Sequence, residues 1–156
     1  FPTKEALFLA TVEDAMKRLT TEVDTAVNAS LDPITRIRDA FRAFFAFFDR
    51  YPGTVELFIQ ERAEFRDRAK PIYFVYRELN RDRWMGLFKQ LLSEGRLRVH
   101  SAEAVRDVLG DLAYGAIFTH RLGGNPRSLS ERSDEIVDIL LHGFATPDAE
   151  PEARSK

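Results

Sequence analysis

The sequence predicts an all-α fold of six helices, and two observations support it. Apolar residues recur at helical spacing through almost all of the 156 residues, and no segment shows the sustained alternation of a half-buried strand. No internal repeat and no long Pro/Gly-rich linker divides the chain. We therefore expect one domain over 1–145, followed by a disordered tail at 146–156 in which Pro, Glu, Ala, Arg and Ser predominate.

The first two helices are marked by residues that commonly cap helix N-termini. The first is predicted over about 4–28, with Thr3 as its N-cap. Asp32 and Pro33 are typical of the cap and first position of a second helix. That second helix carries a cluster of phenylalanines on its apolar face and ends near 51–53, where a Pro-Gly pair follows a tyrosine.

The next two helices are predicted from apolar spacing and from the residues that interrupt it. A short third helix is expected over about 55–65, followed by a charged connection at 66–70. A long, continuous fourth helix is expected over 71–94 and carries the single tryptophan, with Gly95 supplying a left-handed cap. Its apolar residues spread over more than one face.

The last two helices each begin with a serine that is suited to capping. Ser101 is placed to cap the fifth helix, which the Gly-Gly-Asn-Pro run at 123–126 ends. Ser128 and Glu131 match the capping-box pattern, in which each side chain bonds to the other residue's backbone N–H. We therefore expect the sixth helix to begin at about residue 129.

The composition excludes several functional classes. The chain is 44% hydrophobic and 31% charged, which is ordinary for a globular domain, and its net charge of −2 argues against a self-sufficient nucleic-acid binder. The absence of cysteine excludes disulfides and thiol nucleophiles and fits a cytoplasmic location. No apolar run approaches the roughly 20 residues that a membrane-spanning helix needs, so we expect no membrane partner.

The local signatures of common enzymes do not occur in the sequence. A di-iron helical bundle needs Glu three residues before His on two helices, and none of His100, His120 or His142 follows a glutamate in this way. HExxH, GxSxG, P-loop and GxGxxG patterns do not occur either. We therefore expect no catalytic residue, metal or cofactor, and we interpret His120 as a residue that favours the C-terminal end of a helix dipole.

Aromatic side chains on the second and fourth helices indicate either a solid core or a pocket. Rings at helical spacing usually belong to a packed core. A cavity lined by rings and a few polar groups is instead typical of a small-molecule site. The charged pair on the third helix could reach such a pocket or form a solvated face. The candidate ligand-binding residues are Phe44, Phe48, Phe58, Glu61, Arg62, Tyr73, Tyr76, Asn80, Trp84 and Phe88.

Small residues on the fifth helix would allow another helix to approach closely. If the last two helices pair with their copies about a twofold axis, a homodimer forms through an intermolecular four-helix bundle. The alternative is that the same faces pack within the monomer. The candidate interface residues are Val105, Val108, Leu109, Leu112, Ala116, Ile136, Val137, Leu140, Leu141 and Phe144.

The opening run Phe-Pro-Thr-Lys-Glu-Ala-Leu-Phe at 1–8 resembles the junction in TetR family regulators between the recognition helix and the linking helix. The later order of elements is also similar to that family: an aromatic helix opened by Asp-Pro, a long central helix and two terminal helices. The resemblance covers nearly the whole chain and implies a TetR-like C-terminal regulatory domain. It implies that 1–28 is the linking helix and that the DNA-binding helix-turn-helix lies before Phe1.

The resemblance also implies a function. It implies a homodimeric repressor that a small lipophilic or aromatic effector releases from operator DNA, with this chain as the effector-binding and dimerisation part. By position, Thr3 and Lys4 match family residues at the start of the linking helix, where the lysine commonly touches a DNA phosphate; an N-cap beside a solvated lysine is the alternative. At the level of the whole chain, a helical protein-interaction module or an enzyme without a recognisable motif remains open.

Overall fold

The chain folds into helices, as the sequence predicts. The computed structural model describes residues 2–99 and 101–143, which form seven helices and no strand. The all-α prediction is therefore confirmed for this part of the chain. The predicted tail, Phe1, His100 and the candidate interface residue Phe144 lie outside the described residues.

The first two helices begin at the predicted caps. Helix α1 spans Lys4–Asn28, and the Thr3 hydroxyl accepts a hydrogen bond from the Ala6 N–H at 3.0 Å. Helix α2 spans Pro33–Arg50, and the Asp32 carboxylate accepts from the Thr35 N–H at 2.8 Å. Each cap satisfies a backbone donor that the first turn of a helix leaves unpaired.

The predicted continuous helix over 71–94 is wrong, because the structure divides it at Asn80. Helix α3 spans Gly53–Glu64, α4 spans Ile72–Leu79 and α5 spans Arg81–Ser93. Asn80 has φ −91° and ψ 3°, outside the helical region, and its side-chain amide donates to the Tyr76 carbonyl at 2.9 Å. Asparagine side chains compete in this way for backbone acceptors and so disfavour helix interiors.

The last two helices have the predicted boundaries. Helix α6 spans Ala102–Gly123 and is capped by the Ser101 hydroxyl, which accepts from the Ala104 N–H at 3.1 Å. It ends at Gly124, whose φ of 62° is the left-handed conformation that glycine adopts without a steric cost. Helix α7 spans Leu129–His142 and begins with the complete capping box predicted between Ser128 and Glu131.

Helix α2 lies at the centre of the fold. It packs along α1 on one side and along α7 on the other, while α5 packs on α6. The core contains fully buried side chains from several of these helices, among them Val12, Phe45, Phe47, Leu91, Ile117 and Val137. Within the described residues, no helix is both long enough and apolar enough to cross a membrane.

Candidate functional site

A cavity of about 170 Å³ lies between α1, α2, α4, α5 and α6. Its walls are mainly apolar, with polar side chains contributed by α1, by α4, by α6 and by the break between α4 and α5. The lining residues are Met16, Leu19, Thr20, Val23, Asp24, Ile37, Ala40, Phe41, Phe44, Tyr73, Arg77, Asn80, Trp84, Phe88, Arg106, Leu109, Gly110 and Ala113.

One wall of the cavity is a single face of α1. Met16, Leu19, Thr20, Val23 and Asp24 all contribute to the lining. The last four of these residues follow Met16 by three, four, seven and eight positions, which is the spacing that brings side chains to one side of a helix. From the sequence, α1 was expected to be a linking helix, and none of its residues was predicted to line the site. The sequence feature that could have indicated this wall is the helical spacing of its residues, but the buried face of an ordinary core helix has the same spacing.

Half of the candidate ligand-binding residues line the cavity. Phe44 contributes from α2, Tyr73 from α4, and Trp84 and Phe88 from α5. The Trp84 and Phe88 rings are stacked, with centroids 6.3 Å apart and an angle of 24° between their planes. Asn80 reaches the cavity from the break between α4 and α5.

The other aromatic candidates lie behind the wall. Phe48 and Phe58 are buried, and their rings meet edge to face at 6.1 Å. The Phe58 ring also contacts the Tyr73 ring, with centroids 5.5 Å apart. Tyr76 is half-buried against the core and does not line the cavity. Phe48 and Phe58 therefore support lining rings from behind.

The two charged candidates from α3 do not reach the cavity. Glu61 is only 1% exposed, and its carboxylate accepts the Ile72 N–H at 2.9 Å. The Arg68 guanidinium lies 3.8 Å from the same oxygen. Glu61 thus binds the N-terminus of α4, where the helix dipole favours a negative charge. Arg62 lies exposed on α3.

Three ion pairs surround the polar part of the cavity. The Arg77 guanidinium lies 2.7 Å from the Asp111 carboxylate, and that of Arg106 lies 2.6 Å from the Asp107 carboxylate. Asp24, on the α1 wall, is paired with Arg83 of α5. Each charged side chain of the lining therefore has a partner of opposite charge, so the site as a whole carries little net charge.

Gly110 allows α6 to approach Arg77 closely. A Cβ atom at position 110 would lie 2.7 Å from the Arg77 guanidinium, closer than real contacts allow. The guanidinium also donates to the Asp107 carbonyl at 3.3 Å. Arg77 therefore lies flat against the backbone of α6 and links α4 to that helix beside the cavity.

Burial keeps Tyr73 uncharged. Removal from water raises the pKa of the Tyr73 hydroxyl well above its usual value, and the nearby Arg77 only partly opposes this. The hydroxyl is therefore a neutral group at any ordinary pH. It makes no hydrogen bond with the described residues.

A second polar cluster anchors α7 and was not predicted. The Asp49 carboxylate, near the end of α2, accepts the Leu129 N–H at 3.0 Å and the Ser130 N–H at 2.8 Å, together with the Ser130 hydroxyl. His120 of α6 lies 4.0 Å from the same carboxylate. Among the described residues, no three His, Asp or Glu side chains are placed to hold a metal ion.

The candidate interface residues divide between the monomer core and the surface. Val137 is fully buried in the core of the single chain and cannot contact a second copy. The prediction that it forms part of a dimer contact is therefore wrong. Leu109 lines the cavity, whereas Val108 is 59% exposed on the outer face of α6. The remaining described candidates are half-buried: Val105, Leu112, Ala116, Ile136, Leu140 and Leu141.

The outer face of α6 is largely apolar, and part of it is exposed to solvent. Val108, Leu112, Gly115, Thr119 and Leu122 follow one another at spacings of four, three, four and three residues. Val108 and Leu122 are strongly exposed, the latter at 70%. This alternation of four and three is typical of a helix face that packs along another helix.

The two candidate DNA-contacting residues lie at the start of α1. The Thr3 side chain is occupied in capping the helix, and Lys4 is exposed in the first turn. Lys4 is therefore free to meet a partner from solvent, whereas the role of Thr3 within this chain is structural.

Comparison with known proteins establishes the fold alone. No protein-family model matches the chain, and no curated protein does. The chain is similar to a solved structure described as a protein with unknown function from Rhodococcus sp. RHA1, with a TM-score of 0.71 and 18% sequence identity. The similarity covers 94% of this chain and 75% of that one.

Proposed function

We propose that this chain is the effector-binding and dimerisation part of a TetR-like, ligand-responsive transcription regulator. In this proposal the parent protein is a repressor, released from its operator by a small lipophilic or aromatic effector. The observation that carries the proposal is that one wall of the cavity is formed by α1. The opening residues of α1 resemble the junction between DNA-binding and regulatory domains, so a ligand in the cavity would touch the linking helix directly.

The proposed mechanism is a shift between two arrangements of α1. A dimer that binds DNA holds two recognition helices about one helical turn apart, roughly 34 Å, and tilting the linking helices changes that distance. The effector must bind the DNA-incompetent arrangement more tightly, because equal affinity for both would shift nothing. Asp24 is placed to transmit the change, since it lines the cavity on α1 and is paired with Arg83 on α5.

The proposal also assigns the outer face of α6 to a homodimer contact. A twofold axis would set this face against its copy, and the exposed part of α7 would complete the bundle. Ile139 of α7 is an exposed apolar residue that could join it. Buried in this way, Val108 and Leu122 would no longer face water, which is the main driving force for such contacts.

The first experiment is to identify the coding sequence that precedes Phe1 in the gene and to express the complete product. We expect a basic helix-turn-helix segment, and specific binding of the complete protein to DNA from its own promoter, measured by fluorescence anisotropy. The Lys4→Ala variant should weaken binding and lower the salt dependence of log K by about two units, as expected when each copy in the dimer loses one phosphate contact.

Lys17→Ala is the matched control, because Lys17 is exposed on α1 about three and a half turns away. It should leave DNA binding unchanged. A start codon at or near Phe1, or a complete protein that does not bind its promoter DNA, would overturn the regulator proposal.

A further inference from the structure

The size of the cavity restricts the ligand. An apolar cavity of roughly 150 Å³ in another protein accommodates benzene. The cavity here has about 170 Å³. It therefore has room for one aromatic ring with a short substituent. Trp84 and Phe88, whose rings lie within 24° of parallel, both belong to the wall and can pack against such a ring.

The ion pairs around the cavity favour an uncharged ligand. The Arg77 guanidinium is already bonded to Asp111 at 2.7 Å and to the Asp107 carbonyl at 3.3 Å. Asp24 is similarly held by Arg83. A carboxylate or ammonium group entering the cavity would compete with a partner that is already in place, and Asp111 and Asp107 are exposed. The charged group would give up its own hydration for little electrostatic gain.

Uncharged polar groups of the lining remain free to bond to a ligand, and the Thr20 hydroxyl is one of them. The Tyr73 hydroxyl and the Trp84 indole N–H make no hydrogen bond with the described residues, and both can donate. The Asn80 amide uses its nitrogen on the Tyr76 carbonyl, which leaves its oxygen as a free acceptor. Donors and an acceptor together match a neutral group that both accepts and donates, such as a hydroxyl.

We infer that the cavity binds an uncharged molecule with a single aromatic ring, a short apolar substituent and one hydroxyl group, as in an alkylphenol. The ring packs on Trp84 and Phe88, and the hydroxyl bonds to the Tyr73 hydroxyl. The inference deepens the proposed function by naming the class of effector. It concerns binding by this chain, so it is tested without DNA.

The experiment compares ethylbenzene with two of its para-substituted derivatives, 4-ethylphenol and 4-ethylbenzoate, by isothermal titration calorimetry at neutral pH. We expect 4-ethylphenol to bind about fivefold more tightly than ethylbenzene, the gain typical of one hydrogen bond. We expect 4-ethylbenzoate to bind at least about tenfold more weakly than 4-ethylphenol. Tyr73→Phe should remove most of the preference for the phenol over ethylbenzene.

Tyr114→Phe is the matched control, since the Tyr114 ring contacts the Tyr73 ring at 4.7 Å but does not line the cavity. It should keep the preference. A second variant, Ala113→Leu, places a larger side chain in the cavity and should abolish binding, with Ala63→Leu on the exposed face of α3 as its control.

Tightest binding by 4-ethylbenzoate, equal binding of the phenol and ethylbenzene, or no binding of any probe would each overturn the inference. These results are distinct from failure of the proposed function. A complete protein that binds its promoter DNA but takes an anionic ligand would keep the regulator and lose this ligand class. A protein that binds alkylphenols but has no DNA-binding segment would keep this ligand class and overturn the regulator proposal.

Discussion

At the scale of single residues, the contact between Gly110 and Arg77 is the tightest feature of the candidate site. Glycine within a helix normally costs stability relative to alanine, about 1 kcal/mol. Here the missing side chain lets the guanidinium lie against α6 while it pairs with Asp111. Glycine at position 110 therefore lowers the intrinsic stability of α6 but makes room for the Arg77–Asp111 ion pair beside the cavity.

A double-mutant cycle tests this exchange. In the Arg77→Ala background, Gly110→Ala should stabilise the fold by about 1 kcal/mol, because only the helix preference remains. With Arg77 present, the gain should be smaller by at least about 0.5 kcal/mol, because the new methyl group displaces the guanidinium. Free energies of unfolding from urea titrations measure both values.

Gly86→Ala on α5 is the control for this cycle, since a Cβ atom there meets nothing within 4 Å. It should give the same gain in both backgrounds. Equal gains for Gly110→Ala in the two backgrounds would show that the contact has no energetic role.

At the scale of elements, α2 connects the cavity to α7. The Phe44 ring of α2 faces the cavity. On its other side, Arg38 and Arg42 pair with Asp138 and Asp134 of α7, each at 2.8 Å. Asp49 then holds the first turn of α7 through two backbone N–H groups and a hydroxyl. Most of these pairs are exposed and contribute little, so the Asp49 contact is the main polar link.

Asp49→Asn should lower the free energy of unfolding by about 1 kcal/mol at neutral pH, because it removes the charge that favours the N-terminus of α7. Burial alone would raise the pKa of Asp49, but the bonds from Ser130 and Leu129 outweigh it and leave the pKa below its usual 3.8. The stability that this charge adds is thus present above pH 3.8 and is lost as the pH falls through the lowered value.

The difference between wild type and Asp49→Asn should therefore shrink in acid, as urea titrations across pH would show. Asp39→Asn is the control, because Asp39 contacts Arg42 within the same helix at 3.5 Å. A deficit for Asp49→Asn that stayed constant into acid would contradict a role for the charge.

Helix boundaries were largely predictable because caps are local. Thr3, Asp32, Ser101 and Ser128 each bond to a backbone N–H three residues later, and the sequence alone shows that spacing. The break at Asn80 was not predicted, since a single asparagine within an apolar stripe usually leaves a helix intact. Whether a hydrogen bond ends the helix there depends on the tertiary packing of both halves.

The candidate site was predictable only in part, for a related reason. Periodicity shows which face of a helix is buried, but a packed wall and a cavity wall have the same period. Phe44 and Phe48 are four residues apart on α2, yet the first lines the cavity and the second lies behind it. Glu61 was predicted to reach the pocket because it is charged. In the structure it binds the N-terminus of α4 instead, and that partner depends on how the helices pack.

At the scale of the whole molecule, α7 packs mainly on α2, and the outer face of α6 keeps two strongly exposed apolar side chains, Val108 and Leu122. This arrangement separates the two functions that we propose. The cavity meets the inner side of α6 through Leu109 and Ala113, and the dimer contact would use its outer side. A ligand that moves α6 would then be sensed by both copies.

Val108→Asp should convert the dimer to monomers. Val108 is 59% exposed in the single chain, so the carboxylate stays in water and the monomer should fold normally. In the proposed dimer it would be buried twice about the axis beside a like charge. Each buried, unpaired charge costs a few kcal/mol, so the dissociation constant should rise at least about tenfold. Sedimentation velocity over a range of protein concentrations measures the change.

Leu79→Asp is the matched control, because Leu79 is 73% exposed at the end of α4 and belongs to a different helix. It introduces the same charge and should leave the dimer intact. A wild-type protein that remains monomeric at tens of micromolar would remove the dimer from the proposal. An effect of Leu79→Asp equal to that of Val108→Asp would instead place the contact elsewhere on the surface, since both substitutions cost the monomer little.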